Sequence, residues 1–190
     1  MNNDLTQISL DLRAKMEAFL AEVQAEGLVR SDQLRGCSAD EIVALEAKYA
    51  VSLPTAYRLY LEAMGHDAGD RHSYNCLSYH CLSSYSDVLD LTANKRESIA
   101  VWKAGIAHER EDDAAYPAFG TLPVDTFDLP QNALIISQGR DADYLFHYIE
   151  CSGGEDSPVQ NIDMDSEENF VCERYDSLFD FWRVMFKEPG

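Results

Sequence analysis

The feature that most constrains the fold is an uninterrupted apolar run, Ala133-Leu-Ile-Ile136, in the C-terminal third of the chain. A short run of this kind, within residues 132–137, is typical of a buried β-strand. The turn-forming sequence Gln138-Gly-Arg-Asp141 follows it, and residues 144–149 then have the alternating pattern of a second strand. The sequence therefore predicts an antiparallel hairpin in this part of the molecule.

Three helices are predicted before the hairpin. Residues 8–26 carry apolar side chains at helical spacing, and Gly27 is placed to end this helix. A second helix begins at the capping box Ser38-Ala-Asp-Glu41, in which the serine oxygen and the glutamate carboxylate each accept a hydrogen bond from a backbone N–H. The Leu53-Pro54 pair starts a third helix, which Gly65 ends.

The remaining segments have weaker patterns. Residues 86–96 fit a further helix, Trp102 and Ile106 could lie on a helical turn, and the charged run from Glu109 to Asp113 is then expected to be a solvated loop. The prolines at positions 117, 123 and 130 argue against long regular elements in this part of the chain. Short strands are predicted at residues 76–82, 158–162 and 170–172, and Asp176 or Ser177 is expected to cap a C-terminal helix. This order predicts an α+β fold, in which N-terminal helices pack on a mainly antiparallel sheet and a C-terminal helix completes the domain.

The chain is strongly acidic: 34 Asp and Glu residues stand against 15 Lys and Arg residues, for a formal net charge of −19. Nucleic-acid affinity rests on basic side chains that neutralise phosphates, so direct binding to DNA or RNA is not expected. An anionic membrane surface is repelled for the same reason. A strongly basic protein is attracted, and its encounter with the chain is accelerated.

The cysteines and the N-terminus indicate a cytoplasmic protein. The five cysteines are scattered and odd in number, and the N-terminus lacks the basic start and apolar run of a secretory signal. No stretch approaches the ~20 apolar residues that span a bilayer. We therefore expect a cytoplasmic protein with reduced thiols and no membrane partner, present as a monomer or weak dimer. Its 190 residues fit a single domain.

Candidate catalytic and metal-binding groups form no standard pattern. Four side chains could bind zinc if their loop folded back: His72, Cys76, His80 and Cys81. Their spacing matches no usual zinc site, and a strand would send the two cysteines to opposite faces. Residues 163–168 resemble a calcium loop but lack the central glycine and twelfth-position glutamate of an EF-hand.

An enzyme is the least favoured class. No nucleophile motif, phosphate-binding loop or dinucleotide fingerprint occurs. His147, a candidate base, lies on the second strand of the hairpin and is expected to be packed in the core or to face a partner. We therefore assign no catalytic residue, metal or cofactor, and a hydrolytic or metal-dependent enzyme remains only as a third alternative.

Several short motifs occur together in a recognisable order. The opening motifs are Gly36-Cys-Ser-Ala-Asp-Glu-Ile42, Leu45-Glu46, Tyr49, Leu53-Pro54, Tyr57 and Gly65. The hairpin, Pro158-Val159 with an acidic stretch, and a final helix with Phe179, Phe181 and Trp182 follow them. This order resembles the SUKH superfamily (the SMI/KNR type) over about residues 36–185. The family often has paired glycines after the third helix, whereas here Gly65 and Gly69 are separated.

The resemblance implies a bacterial immunity protein. Many members of this superfamily bind and neutralise a secreted polymorphic toxin, often a nuclease or deaminase, and other members are regulatory scaffolds. The resemblance also implies one SUKH-like domain, with a core at residues 36–187 and an N-terminal helical extension at residues 1–35. The family has no shared catalytic residues to carry over.

Acidic side chains are concentrated near the C-terminus. Between Asp141 and Asp180, twelve acids are opposed by Arg174 alone. Nuclease toxins need basic surfaces to hold phosphate, so an acidic inhibitor can dock there. Six acids are expected to supply the acidic part of a toxin-binding face: Glu155, Asp156, Asp163, Asp165, Glu167 and Glu168.

Aromatic anchors are also expected at such an interface. The candidates are Tyr74, Tyr79, Tyr85 and Tyr116. Two alternatives to toxin binding stay open. The many acidic side chains could serve only to keep the protein soluble, or the domain could be a regulatory scaffold that binds an endogenous protein.

Overall fold

The structure is a computed structural model that describes residues 2–69, 80–112, 127–139, 142–164 and 171–187. The α-helices of these residues are α1 (Asn2–Ala25), α2 (Ala39–Tyr49), α3 (Thr55–Met64), α4 (Tyr85–Asp112) and α5 (Leu178–Lys187). Their strands are β1 (Leu34–Arg35), β2 (Asp67–Ala68), β3 (His80–Leu82), β4 (Ala133–Gly139), β5 (Ala142–Glu150), β6 (Val159–Asp163) and β7 (Val171–Tyr175). The predicted α+β class is confirmed.

Five strands form the central sheet in the order β3-β4-β5-β6-β7, each antiparallel to its neighbours. The predicted hairpin is β4-β5, with Leu134 opposite Ile149. Gln138 and Gly139 were expected in the turn but belong to β4, because both also pair with β3. Residues 140 and 141 lie outside the described residues. A separate two-stranded ribbon consists of β1 and β2.

Helices cover both faces of this sheet. Leu134 and Ile136 of β4 join a large core with α1, α2, α3, α5 and the start of α4, whereas Ala133 and Ile135 join a second core with the following part of α4. Successive residues of a strand point to opposite faces. The side chains of Ala133 to Ile136 are at most 2% exposed on either face of the sheet. Because both faces are buried, the sequence of β4 is an uninterrupted apolar run there.

The length of α4 corrects one prediction. The sequence patterns favoured a helix at residues 86–96 and a loop from residue 109, but residues 109–112 continue the helix, and Asp113 lies outside the described residues. No proline occurs within α4, and the first one after it is Pro117, so the prolines of this segment do not interrupt the helix. No helix of the described residues is both long and apolar enough to cross a bilayer.

Local capping signals fix where three helices begin. In each, a serine hydroxyl accepts a hydrogen bond from the backbone N–H three residues later, and the acidic side chain there contacts the serine in return. The pairs are Ser38–Glu41 before α2, Ser84–Asp87 before α4 and Ser177–Asp180 before α5. The cap at Ser38 and the helix start at Ser177 confirm the predictions made for them.

The N-terminal helix α1 begins at Asn2 rather than residue 8 and packs into the large core. Phe19 is 1% exposed, and its ring centroid lies 5.4 Å from that of Phe186 and 6.1 Å from that of Trp182 on α5. Lys187 of α5 forms an ion pair with Glu22 at 2.7 Å. The helical extension therefore shares its hydrophobic core with the segment 36–187.

Candidate partner-binding surface

Two of the six predicted acids, Glu155 and Asp156, lie in the loop between β5 and β6. This loop closes the N-terminal end of α3, where the N–H groups of Thr55 and Ala56 donate to the carbonyl oxygens of Gly154 and Glu155 at 3.0 and 2.8 Å. The first N–H groups of a helix have no partner within the helix. The backbone of the loop is therefore held in place by the end of α3.

Asp156 supports the fold. Its Oδ1 accepts hydrogen bonds from the N–H of Leu178, the first residue of α5, at 3.0 Å and from the N–H of Ser157 at 2.8 Å. A carboxylate is favourable at this end of a helix because the free N–H groups there carry partial positive charge. Asp156 is half-buried, whereas the neighbouring Glu155 is exposed.

The other four predicted acids are placed only in part. Asp163 is half-buried at the end of β6, where it pairs with Leu145 of β5. Asp165, Glu167 and Glu168 lie outside the described residues. The structure brings Glu155 and Asp156 to the adjoining ends of α3 and α5, and the grouping of the remaining four stays a prediction.

The six acids predicted from the sequence for the toxin-binding face do not include two acids at the start of α5. Asp176 and Asp180 are exposed and lie next to the residue that Asp156 caps. We call the four carboxylates at this junction the acidic surface: Glu155, Asp156, Asp176 and Asp180. Arg183 contacts Asp180 at 3.5 Å, and both side chains are about half exposed, so this ion pair is weak. The acidic surface brings loop and helix residues together, and their separation in sequence hides it.

Tyr85 is not an exposed anchor, and that prediction was wrong. Its side chain is 7% exposed, and its hydroxyl donates to the carbonyl oxygen of Glu41 at 2.9 Å. The ring also lies edge-on to His66, with centroids 5.4 Å apart. Tyr85 therefore connects α4 to α2. Tyr74, Tyr79 and Tyr116 lie outside the described residues.

The cysteines whose side chains are described are not activated nucleophiles. Burial, with a smaller contribution from Glu41, raises the pKa of Cys37 to about 12, and burial beside Glu46 raises the pKa of Cys151 to about 12. Nucleophilic catalysis by cysteine needs the thiolate near neutral pH. Both thiols are therefore protonated in the folded protein.

His147 is packed in the core, one of the two positions expected for it. The ring is 1% exposed and packs against Phe181 and Tyr175, with centroid distances of 4.9 and 6.0 Å. It is therefore not placed to act on a substrate in solvent.

One group of potential metal ligands lies elsewhere, at the start of α2. Cys37, Glu41 and His66 each offer one ligand atom, and these atoms lie within 4.8 Å of one another. The Nε2 of His66 is 3.0 Å from Oε1 of Glu41. Hydrogen bonds from Ser38 and the contact with His66 hold the pKa of Glu41 below its usual range. The side chains of the zinc group considered in the sequence, at residues 72, 76, 80 and 81, lie outside those described.

Residues 36–183 match the sequence profile of the SMI1 / KNR4 family (SUKH-1). The chain belongs to this SUKH-1 family. The match covers the motif that opens at Gly36, the whole central sheet and the first part of α5, and it leaves α1 outside. A comparison with curated proteins finds no significant match. The SUKH membership inferred from the order of motifs is confirmed, and this family typically consists of non-enzymatic immunity or regulatory proteins.

Proposed function

We propose that this SUKH-1 protein is an immunity protein, which binds a cognate secreted toxin and neutralises it by stoichiometric occlusion. The favoured toxins are nucleases or others directed at nucleic acid. The observation that carries the proposal is the charge of this family member: −19 overall, with twelve acids against one arginine between Asp141 and Asp180. A toxin that holds phosphates on a basic surface is the complementary partner for such a chain.

The acidic surface supplies the central part of the contact in this proposal. Its loop is anchored to α3 by two backbone hydrogen bonds and to α5 through Asp156, so little ordering is needed when a partner binds. Carboxylates presented in this way occupy the positions that nucleic-acid phosphates would take on the toxin. We expect Asp163, which lies at the far end of β6 from this loop, to extend the contact together with Asp165, Glu167 and Glu168.

Inhibition of this kind requires occupancy and no chemistry. Burial raises the pKa of Cys151 to about 12, which supports this view because that thiol is not available as a nucleophile. The net charge also increases the rate at which a basic partner is captured. The proposal places the protein in the cytoplasm, where a nucleic-acid-directed toxin meets its substrate. The immunity protein must bind the toxin there before the toxin reaches nucleic acid.

The proposal predicts that a toxin gene lies directly upstream of this protein's gene, and co-expression with the toxin domain of that gene tests it. We expect the full chain to restore growth of cells that produce the active toxin, and to form a one-to-one complex with an inactivated toxin. The empty vector is the control for growth. If the toxin kills cells although both proteins are soluble, the proposal is wrong, and a regulatory scaffold that binds an endogenous protein becomes the favoured function.

A further inference from the structure

The junction of β1, α2 and α3 brings together three side chains with ligating chemistry. Cys37 precedes α2, Glu41 lies in its first turn, and His66 follows α3. We propose that these three residues bind one Zn²⁺ ion. Thiolate sulfur, carboxylate oxygen and imidazole nitrogen are the usual protein ligands of Zn²⁺, which prefers four ligands in a tetrahedral arrangement. Three protein ligands leave the fourth position to water.

The backbone holds two of the ligands close together. The N–H of Cys37 donates to the carbonyl oxygen of Leu61, and the N–H of His66 donates to that of Arg35, both at 2.8 Å. A side chain at Gly65 could not fit, because its Cβ would lie 2.5 Å from the sulfur of Cys37. The absence of a side chain at Gly65 therefore lets the thiol lie against the end of α3, beside His66.

Glu41 has one oxygen for the helix cap and one for the ion. Its Oε2 accepts hydrogen bonds from the N–H and the hydroxyl of Ser38 at 2.8 and 2.9 Å, while Oε1 is 3.0 Å from Nε2 of His66. Zn²⁺ would replace this contact between Glu41 and His66 with a bond to each atom. The cap of α2 is kept, and its hydrogen bonds orient the ligating carboxylate, as partners behind metal ligands commonly do.

The site is open to solvent on one side and compensates the charge of the ion. The side chains of His66 and Glu41 are 36% and 37% exposed, whereas Cys37 is 8% exposed. A thiolate and a carboxylate together balance the two positive charges of Zn²⁺. Cys37 must release its thiol proton to solvent on binding, so the affinity is expected to rise with pH.

Among the described residues, this is the one group of three or more such ligands with atoms this close together. Each ligand comes from a different point of the opening SUKH-1 motif or from the end of α3, so the fold itself assembles the site. An ion here would link the start of α2 to the end of α3. Tyr85 adds support from α4, because its hydroxyl donates to the backbone of Glu41 and its ring contacts His66.

Metal titration of the full chain tests the proposal. After treatment with a chelator, we expect the protein to bind one equivalent of Zn²⁺ at micromolar concentrations in competition with a chelating dye. Co²⁺ used as a probe should give a sulfur-to-cobalt charge-transfer band and the visible bands of a tetrahedral ion. Cys37→Ser should abolish the charge-transfer band, and His66→Gln should weaken Zn²⁺ binding at least about tenfold.

Two matched variants serve as controls. Cys151→Ser removes another buried thiol among the described residues, and His108→Gln removes an exposed histidine of α4. Neither variant should change Zn²⁺ binding. No bound equivalent in the wild-type protein would overturn the proposal. So would a charge-transfer band that persists in Cys37→Ser, since the metal would then lie on another cysteine. If Cys37→Ser does not fold by circular dichroism, the His66→Gln variant decides: unchanged affinity there rejects the site.

Discussion

The glycine that opens the SUKH-1 motif lies too close to a neighbouring helix to carry a side chain. A Cβ at Gly36 would be 1.7 Å from the carbonyl oxygen of Glu62 on α3 and 2.5 Å from its carbonyl carbon. These are backbone atoms, so the clash cannot be relieved by rotating a side chain. Gly105, in the interior of α4, has nothing within 4 Å of the same position.

Gly36→Ala should therefore destabilise the protein by about 1–3 kcal/mol or more, because β1 and α3 must move apart. Gly105→Ala is the matched control, and it should stabilise the exposed helix by about 0.5–1 kcal/mol. Urea denaturation followed by circular dichroism measures both. Equal stability of the two variants would show that the close approach of Gly36 to α3 is not a constraint.

The capping carboxylate of α2 makes stability depend on pH. Backbone and side-chain hydrogen bonds from Ser38, and then the contact with His66, lower the pKa of Glu41 below its ordinary value of 4.5. Since the folded pKa is the lower one, the stabilisation is present above about pH 4.5 and is lost as the pH falls towards the folded value.

Glu41→Gln, which keeps the shape of the side chain, should therefore be less stable than the wild-type protein at neutral pH and approach it at acidic pH. The measurement is the urea midpoint from pH 7 to pH 3 with a chelator present. Glu97→Gln, an exposed change on α4, is the control and should follow the wild-type curve. A constant difference between Glu41→Gln and the wild type at every pH would contradict the assignment.

Roles that depend on neighbours in sequence could be predicted, and roles that depend on distant neighbours could not. The cap at Ser38 is visible because its partner is three residues away. Asp156 caps α5 from 22 residues before Leu178, and the hydroxyl of Tyr85 reaches the backbone of Glu41 across 44 residues. Nothing local distinguishes such an acid or tyrosine from one that faces a partner.

Elements with strong periodicity were predicted well, because local pattern and tertiary packing agree there. The hairpin and the last helix are confirmed, with bounds that differ by a few residues. The second half of α4 was missed because prolines that argue against regular structure come soon after it and its last residues are a charged run typical of a loop. In the folded protein, α4 is held by contacts beyond its own sequence: buried Thr92 accepts a hydrogen bond from Ile135 of β4 at 2.9 Å.

The N-terminal helix α1 lies outside the residues that match the family, and substitutions in it show how much it contributes to the stability of the protein. Phe19→Ala should cost about 3–5 kcal/mol, since the ring is buried among aromatic side chains of α5. Leu10→Ala, on the same helix at a side chain 55% exposed, should change stability by no more than about 0.5 kcal/mol. Thermal and urea unfolding compare the two. Similar small effects would show that α1 is dispensable to the core.

At the scale of the whole molecule, the effect of the net charge can be separated from the effect of where the acids lie. The sheet is buried by helices on both faces, so the hydrophobic cores do not depend on fully exposed acids such as Glu155 and Asp176. The half-buried Asp156 differs, because it caps α5. The net charge was evident from composition alone. The acidic surface could not be recognised from composition, because the junction of the β5–β6 loop with α3 and α5 exists only after folding. After its first turns, α4 packs on the opposite face of the sheet, and its exposed Glu97 serves as a comparison.

The central claim is that the acidic surface captures a basic toxin, and the association rate with the inactivated toxin tests it most directly. The variant Glu155→Lys with Asp176→Lys reverses two exposed acids of the acidic surface, and Glu17→Lys with Glu97→Lys reverses two exposed acids on α1 and α4. Each pair changes the net charge from −19 to −15, so only the location differs. At low salt, the first pair should slow association about tenfold or more and the second pair far less. Equal slowing by both pairs, or none by the first, would contradict the account.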